Sequence, residues 1–373
     1  MSVISTVGKV YGLSRVPESA YGVAVAAANG AGKAHHQVLL KKADNPVKVE
    51  VRTKNNQEFA TGSNFATRQY TTEHDGNFNF NIDLDSFSLG LLLHSALGSI
   101  VSTAPYAGAA AVKKHVYKPY DPKVTAQLPS RTLLEFLAVG EDRVFPGGVV
   151  QSLELKGDGS GTIEASVTII TAGSIIKPSL HNVDWADTAN VTVIKLSNVN
   201  PFFENPQARI ILSDVATQAN PINIGCTLRN WSIKIENKLL AELGYQPGCS
   251  GNYFDPLDPT QGIVRTRLLS EGQDIMLKYQ VELGAQDYLN YLSTQRPFDF
   301  VQTLGTRKLI ATGTGPVDYY HNASFRAFNT QIKSVDRSAP NNILIADIEP
   351  MILDDGSGIF QAIVENETAS YLV

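Results

Sequence analysis

Between Thr71 and Gly98 the chain reads TTEHDGNFNFNIDLDSFSLGLLLHSALG. Phe78, Phe80, Ile82 and Leu84 occupy one phase of a two-residue alternation. Asn79, Asn81, Asp83 and Asp85 occupy the other. That period predicts a strand with one buried and one polar face. The period then lengthens. Leu89, Leu92, Leu93, Ala96 and Leu97 recur at helical spacing and stop at Gly98, which predicts a short helix. The passage LLSEGQDIMLKYQVELGAQDYLNYLSTQ, Leu268 to Gln295, repeats the design. Ile275, Leu277, Tyr279, Val281 and Leu283 alternate with a polar phase that holds Asp274, Lys278, Gln280 and Glu282. Tyr288, Leu289, Tyr291 and Leu292 then return at helical spacing.

Strand signals fill most of the remainder. They include Val47 to Thr53, Phe65 to Thr72, Arg131 to Val139, Val149 to Leu155, Thr162 to Thr171, Leu228 to Ile235 and Ser324 to Val335. Val, Ile, Thr and aromatics crowd these runs, and Gly, Asp, Asn and Pro separate them. A mainly antiparallel β chain follows, with one short helix per half. Polar turns are expected at HDG, before Phe78, and at the glycine-rich stretch after Leu155. Ala26 to Lys42, Ser99 to Pro129 and Gly244 to Gly262 read as long loops or arms. The order hairpin, helix, loop, hairpin occurs twice, and this predicts a tandem duplication. The first copy spans residues 1–180 and the second 181–373. Phe78–Leu84 is expected to superpose on Ile275–Val281, and Leu89–Leu97 on Gln286–Leu292.

Composition narrows the functional classes. The 373 residues are 43% hydrophobic and only 18% charged, which suits a chain that hides much of its surface against partners. The net charge of −5 gives no global basic field to attract nucleic acid. No apolar run reaches the length of a membrane span, and the start lacks a signal-peptide core, so synthesis in a cytoplasm without membrane insertion is expected. Cys226 and Cys249 are too few for a disulfide framework or a protein-only zinc site. AANGAGKAHH fails as a phosphate-binding loop, because Ala27 and Ala34 stand where Gly and Ser or Thr are required. KGDGSGTIE and LDDGSGIF supply too few oxygen ligands for calcium and read as hairpin turns. The seven histidines show no zinc-hydrolase spacing, and no nucleophile elbow occurs. No enzymatic activity, metal or cofactor is expected.

Four passages carry a family resemblance. VYGLSRVPESAYGVA contains a Glu-x-x-Tyr-Gly opening. HDGNFNFNIDLDSFSLGLLLHSALGS is a Gly-led strand followed by a leucine-rich helix. FPGGVVQSLELKGDGSGTIEASVTIITAG is a hairpin, and CTLRNWSIKIENKL is followed by LGY. In this order they resemble the major tail tube proteins of long, non-contractile-tailed bacteriophages. Residues 99–129 and 175–222 have no clear counterpart. The resemblance implies an antiparallel β-sandwich or barrel with one short flanking helix, here duplicated in tandem. It implies rings whose strands join into one barrel around a channel, stacked into a virion tail tube through which phage DNA is ejected. Such a chain is made in the bacterial cytoplasm. Its implied partners are further copies of itself, the tape measure, tail terminator and distal tail proteins, and double-stranded DNA that passes without specific binding. A duplicated chain would form a trimer with pseudo-six-fold symmetry, and an unduplicated one a hexamer. The candidate lumen-lining residues are Asn79, Asn81, Asp83 and Asp85 on one strand and Lys278, Gln280 and Glu282 on the other. The alternative is a β-sandwich module that recognises a carbohydrate or receptor, with exposed Trp/Tyr platforms on one sheet face; its only tryptophans, Trp185 and Trp231, lie far apart in sequence.

Overall fold

The alternating runs become strands. A computed structural model of the chain describes residues 10–25, 28–29, 32–33, 35–38, 40–41, 47–56, 68–121, 123–124, 127–136, 143–159, 161–174, 191–192, 201–215, 221–245, 264–282, 296–313, 318–340, 343–354 and 358–372. The first half contains β1 (Val10–Ser14), β2 (Ala28–Asn29), β3 (Gly32–Lys33), β4 (His35–Val38), β5 (Val47–Asn56), β6 (Arg68–Asp83), α1 (Ser86–Leu97), β7 (Gly98–Thr103), β8 (Lys113–Pro119), β9 (Arg131–Phe136), β10 (Arg143–Asp158) and β11 (Glu164–Thr171). The second contains β12 (Val191–Thr192), β13 (Glu204–Asp214), β14 (Ile222–Asn223), β15 (Leu228–Leu239), β16 (Ser270–Glu282), β17 (Phe298–Thr312), β18 (Asp318–Ser338), β19 (Ile345–Ile352) and β20 (Phe360–Asn366).

One sheet dominates. Its order is β5-β6-β11-β10-β15-β16-β19-β18, and every neighbouring pair is antiparallel. Two smaller sheets lie behind it. One is β4-β1-β9 with the N-terminal part of β10. The other is β14-β13-β17 with the N-terminal part of β18, continued by β20, β8 and β7. β10 and β18 therefore each run through two sheets. β18 changes partner at Asn329, whose φ of 51° is one that Asn tolerates. The inner faces fill one core, in which Phe78, Leu89 and Leu153 share a cluster with Ile233, Tyr279 and Phe300. The protein is a mainly β sandwich in which one large core serves both halves of the chain, beside a smaller cluster of Tyr120, Leu128, Val149, Ile170 and Leu268.

The two halves pair their strands alike. β1·β4, β1·β9, β9·β10, β10·β11, β11·β6 and β5·β6 have counterparts in β13·β14, β13·β17, β17·β18, β18·β19, β19·β16 and β15·β16. Bulges fix the register. β10 slips against β11 between Val150 and Ser152, and β18 slips against β19 between Ile332 and Ser334. Counting along the ladders from these bulges puts Phe78 at the position of Leu277 and Ile82 at that of Val281. This register lies two residues from the superposition expected from the sequence, because the alternation fixes only which face a residue takes. The predicted second helix, Gln286–Leu292, falls outside the described residues.

Other expectations need correction. HDG is not a turn. β6 runs unbroken through it, and Gly76 is needed because a Cβ there would lie 2.2 Å from Thr171 Oγ1 of the adjacent strand. The expected arm over 26–42 contains β4, whose His35 and His36 are buried. The expected loop over 99–129 contains the β7–β8 hairpin, in which His115 and Tyr117 point inward. Most of the third loop, 246–263, is outside the described residues.

The helix starts and stops where its sequence dictates. Asp85 is its N-cap, and its carboxylate accepts from Phe87 N at 2.9 Å and Ser88 N at 3.0 Å. Gly98, at φ 84°, ends it and donates its N–H to His94 O. All twelve residues are buried, as expected for a helix apolar on most sides. Arg131, also buried, donates to Ser95 Oγ at 2.6 Å, to Ser14 O at 2.9 Å and to His94 Nδ1 at 2.9 Å. This ties the helix C-terminus to β1 and β9.

The sequence motifs meet in space. Glu18, of the Glu-x-x-Tyr-Gly opening, accepts from Gly147 N at 2.9 Å, Ser130 Oγ at 2.7 Å, Thr132 Oγ1 at 2.8 Å and Gly22 N at 3.1 Å. Gly147 belongs to FPGG and takes φ 73°, and a Cβ there would approach Tyr21 Cζ to 3.0 Å. Nearby Arg265 pairs with Asp75, donates to Thr171 O at 2.9 Å and stacks its guanidinium over the Tyr245 ring of the LGY passage.

Candidate channel surface

The large sheet has one face in the core and one outside it. Phe78, Phe80 and Ile82 of β6 point inward, as do Ala165 and Val167 of β11, Leu153 and Leu155 of β10, Ile233 and Ile235 of β15, and Leu277, Tyr279 and Val281 of β16. The outer face is therefore made of the opposite phase on every strand. Its rows follow from the ladders. Asn79 lies beside Thr168, then Ser152, Glu236 and Asp274. Asn81 lies beside Ser166, Glu154, Lys234 and Met276. Asp83 lies beside Glu164, Lys156, Ser232 and Lys278. Asp158, Asn230, Gln280 and Asp347 continue the pattern.

The two polar stripes read from the sequence thus share one surface, with three strands between them. Asn79, Asn81, Lys278 and Glu282 are exposed, and Asp83 and Gln280 are half-buried. Asp85 does not share it. The strand ends at Asp83, and Asp85, only 5% exposed, turns inward to cap the helix. Parity along the sequence placed Asp85 with the stripe, but the helix start moves it off.

The surface is polar without being a cationic platform. Lys41 sits 2.8 Å from Asp83 and also contacts Glu164. Lys156 lies 3.2 Å from Glu164, Lys234 lies 2.7 Å from Glu236, and Lys278 lies 2.5 Å from Glu349. The Lys41 hydrogen bond, together with Lys156, holds the Glu164 carboxyl below the usual range. The hydrogen bond to Glu349 raises the Lys278 ammonium. Amides bridge strands in the same way. Asn230 Nδ2 donates to Gln280 Oε1 at 3.1 Å, and Gln280 Nε2 donates to Asp347 Oδ1 at 2.8 Å. Between β10, β15, β16 and β19 the face opens into a hollow of about 770 Å³. The sequence reading missed Glu154, Lys156 and Lys234, which occupy the polar phases of SLELKGD and WSIKIENK; only the paired ladders bring those phases onto the same face as Asn79.

Trp231 offers no platform for the other reading. Trp231 is 3% exposed and donates Nε1 to Asn205 Oδ1 at 2.7 Å. Trp185 lies outside the described residues.

A family model for phage tail tube proteins matches residues 10–255, about two thirds of the chain. The chain belongs to the phage tail tube protein family. The match runs from β1 through β15 and crosses the junction between the halves. Tail tube proteins are structural, non-enzymatic components of the virion tail and self-assemble into its tube. No curated protein is matched by the sequence.

Proposed function

We propose that the chain is a tail tube subunit whose large sheet joins with those of further copies into a closed barrel, with the Asn79–Asn81–Asp83 face turned to the channel. Lys278, Gln280 and Glu282 lie on that same face. The observation that carries this reading is the continuous polar surface opposite a continuous core. In a closed barrel the two faces of every strand look outward and inward, and here the outward one is already filled by the sandwich. Closure also removes sheet edges, which otherwise recruit other chains without limit. The two strand quartets, β5-β6-β11-β10 and β15-β16-β19-β18, are copies of one unit, with the duplication running over 1–180 and 181–373. Three chains then supply six units to a ring, and rings stack head to tail. Phage DNA passes through during ejection without specific binding, and the tape measure, tail terminator and distal tail proteins meet the tube along its lumen and at its ends. Electron microscopy of the purified protein tests the reading. Rings or hollow filaments with three chains per ring are expected, and a monodisperse monomer at all concentrations would overturn it.

A further inference from the structure

Inside the chain the two quartets are joined by β10 and β15, with Ser152 opposite Glu236, Leu153 opposite Ile235, Glu154 opposite Lys234 and Leu155 opposite Ile233. Each quartet also has an outer strand. Among the described pairings β5 pairs with β6 alone, and residues 331–338 of β18 pair with β19 alone. β5 corresponds to β15, and β18 to β10. The bulges set the alignment residue by residue. Ser152, Leu153 and Glu154 fall on Ser334, Val335 and Asp336. Through Phase-matched partners on β6 and β16, Ile233, Lys234, Ile235 and Glu236 fall on Val47, Lys48, Val49 and Glu50. The sequences agree, IKIE in one half and VKVE in the other.

Resting on the tail tube reading, we infer that neighbouring subunits pair β5 of one copy with the C-terminal part of β18 of the next, in the register of the β10–β15 joint. Lys48 then faces Asp336, Val49 faces Val335, and Glu50 faces Ser334. The residue types of the internal joint recur in sequence at each of these register positions: a basic with an acidic residue, two aliphatics, an acidic residue with a serine. The fourth position differs, with Arg337 where Leu155 stands, at the exposed end of β18. Burial agrees with the assignment. Leu153, Ile233 and Ile235 at the internal joint are fully buried, whereas Val335 and Val47 at the two edges are half-buried against the core. A neighbouring copy would complete their burial. Neither edge carries the proline that guards many exposed strands.

Cysteine pairing tests the register. Opposed residues of an antiparallel pair have Cα atoms about 4.5–5.5 Å apart, within disulfide reach. In a Cys226→Ser, Cys249→Ser background, Lys48→Cys with Asp336→Cys is expected to give covalent dimers and closed trimers on oxidation of assembled tubes. Each single variant, and Lys48→Cys with Ser338→Cys, is expected to give none. Circular dichroism and melting of the unassembled chains check that the variants fold. As a second measurement, Lys48→Glu and Asp336→Lys alone should each lower ring yield about tenfold, and together restore it to near the parent level. Tubes that assemble normally without the Lys48–Asp336 cross-link would overturn the register and leave the tube reading standing. Failure of the parent chain to assemble would overturn both.

Discussion

Glu18 shows how much a single buried side chain can organise. Its carboxylate collects donors from Gly22, Ser130, Thr132 and Gly147, so one residue fastens the N-terminal segment to β9 and β10. Gly147 is the sensitive partner. At φ 73°, with a Cβ position 2.8 Å from Ala172 Cβ, Gly147→Ala combines backbone strain with a clash. A loss of about 2–4 kcal/mol is expected, read as a lower urea midpoint at unchanged slope. His36 gives a pH signature. Burial lowers its pKa to about 4, with Asp85 pulling it up and Arg15 pushing it down. The unfolded imidazole titrates near the ordinary value of 6.5. Between these limits the unfolded chain holds a proton that the folded chain lacks. Its contribution is therefore whole above pH 6.5 and falls as pH drops toward 4, by about 3 kcal/mol. His36→Gln should flatten that part of the stability curve. His94, lowered to about 3 by burial and then by Arg131, should retain a slope of its own in the variant. Urea unfolding at pH 7 and pH 4.5 for parent and variant checks this, and identical pH dependence would contradict it.

At the scale of elements, α1 depends on its N-cap residue, Asp85. Asp85→Ala would leave the Phe87 and Ser88 N–H groups without their acceptor in a buried setting. A cost of about 1–2 kcal/mol is expected, seen as a lower melting temperature, with Asp85→Asn recovering most of it. The same residue marks where sequence reading stops. Alternation identified the inward face of β6, the polar stripe beside it and the helix after it, because each is a property of consecutive residues. Asp85 shares the parity of the stripe, and only the geometry of the helix start removes it. β8 escaped notice because Lys113, Lys114 and Lys118 disguise a strand whose inward residues are His115 and Tyr117. Gly76 read as a turn because its neighbours are polar, whereas its role is to let Thr171 approach. The register between the halves depends on bulges after Val150 and Ile332, and a bulge leaves no compositional mark. The likeness of VKVE to IKIE was the one local signal that could have supplied it.

In the proposed assembly, the wall of the channel would set the conditions for DNA passage. In the proposed ring, eight strands per chain from three chains, at a spacing of about 4.8 Å and a tilt of about 40°, would give a barrel about 48 Å across between backbones. Side chains narrow this bore, so a duplex would travel close to the wall and respond to its charge. Duplex DNA carries about one charge per 1.7 Å of axis, and free ammonium groups on the wall would condense onto it in place of counterions. The lysines now on the face are held against carboxylates, as Lys41 is by Asp83 and Lys234 by Glu236. Asn79 and Asn81 are exposed and sit in rows that contain Ser152, Ser166 and Thr168, so longer side chains can be placed there without breaking the core. Asn79→Lys with Asn81→Lys is therefore expected to leave tube assembly intact and to slow DNA ejection about tenfold at low salt. The defect should fade as salt rises, because screening shortens the reach of each added charge. Asn79→Asp with Asn81→Asp should assemble and eject at the parent rate. Phage carrying each variant, followed by dye-reported ejection over a salt series, distinguish these outcomes. If the lysine variant assembles and ejects at the parent rate at every salt concentration, this face does not line the path of the DNA.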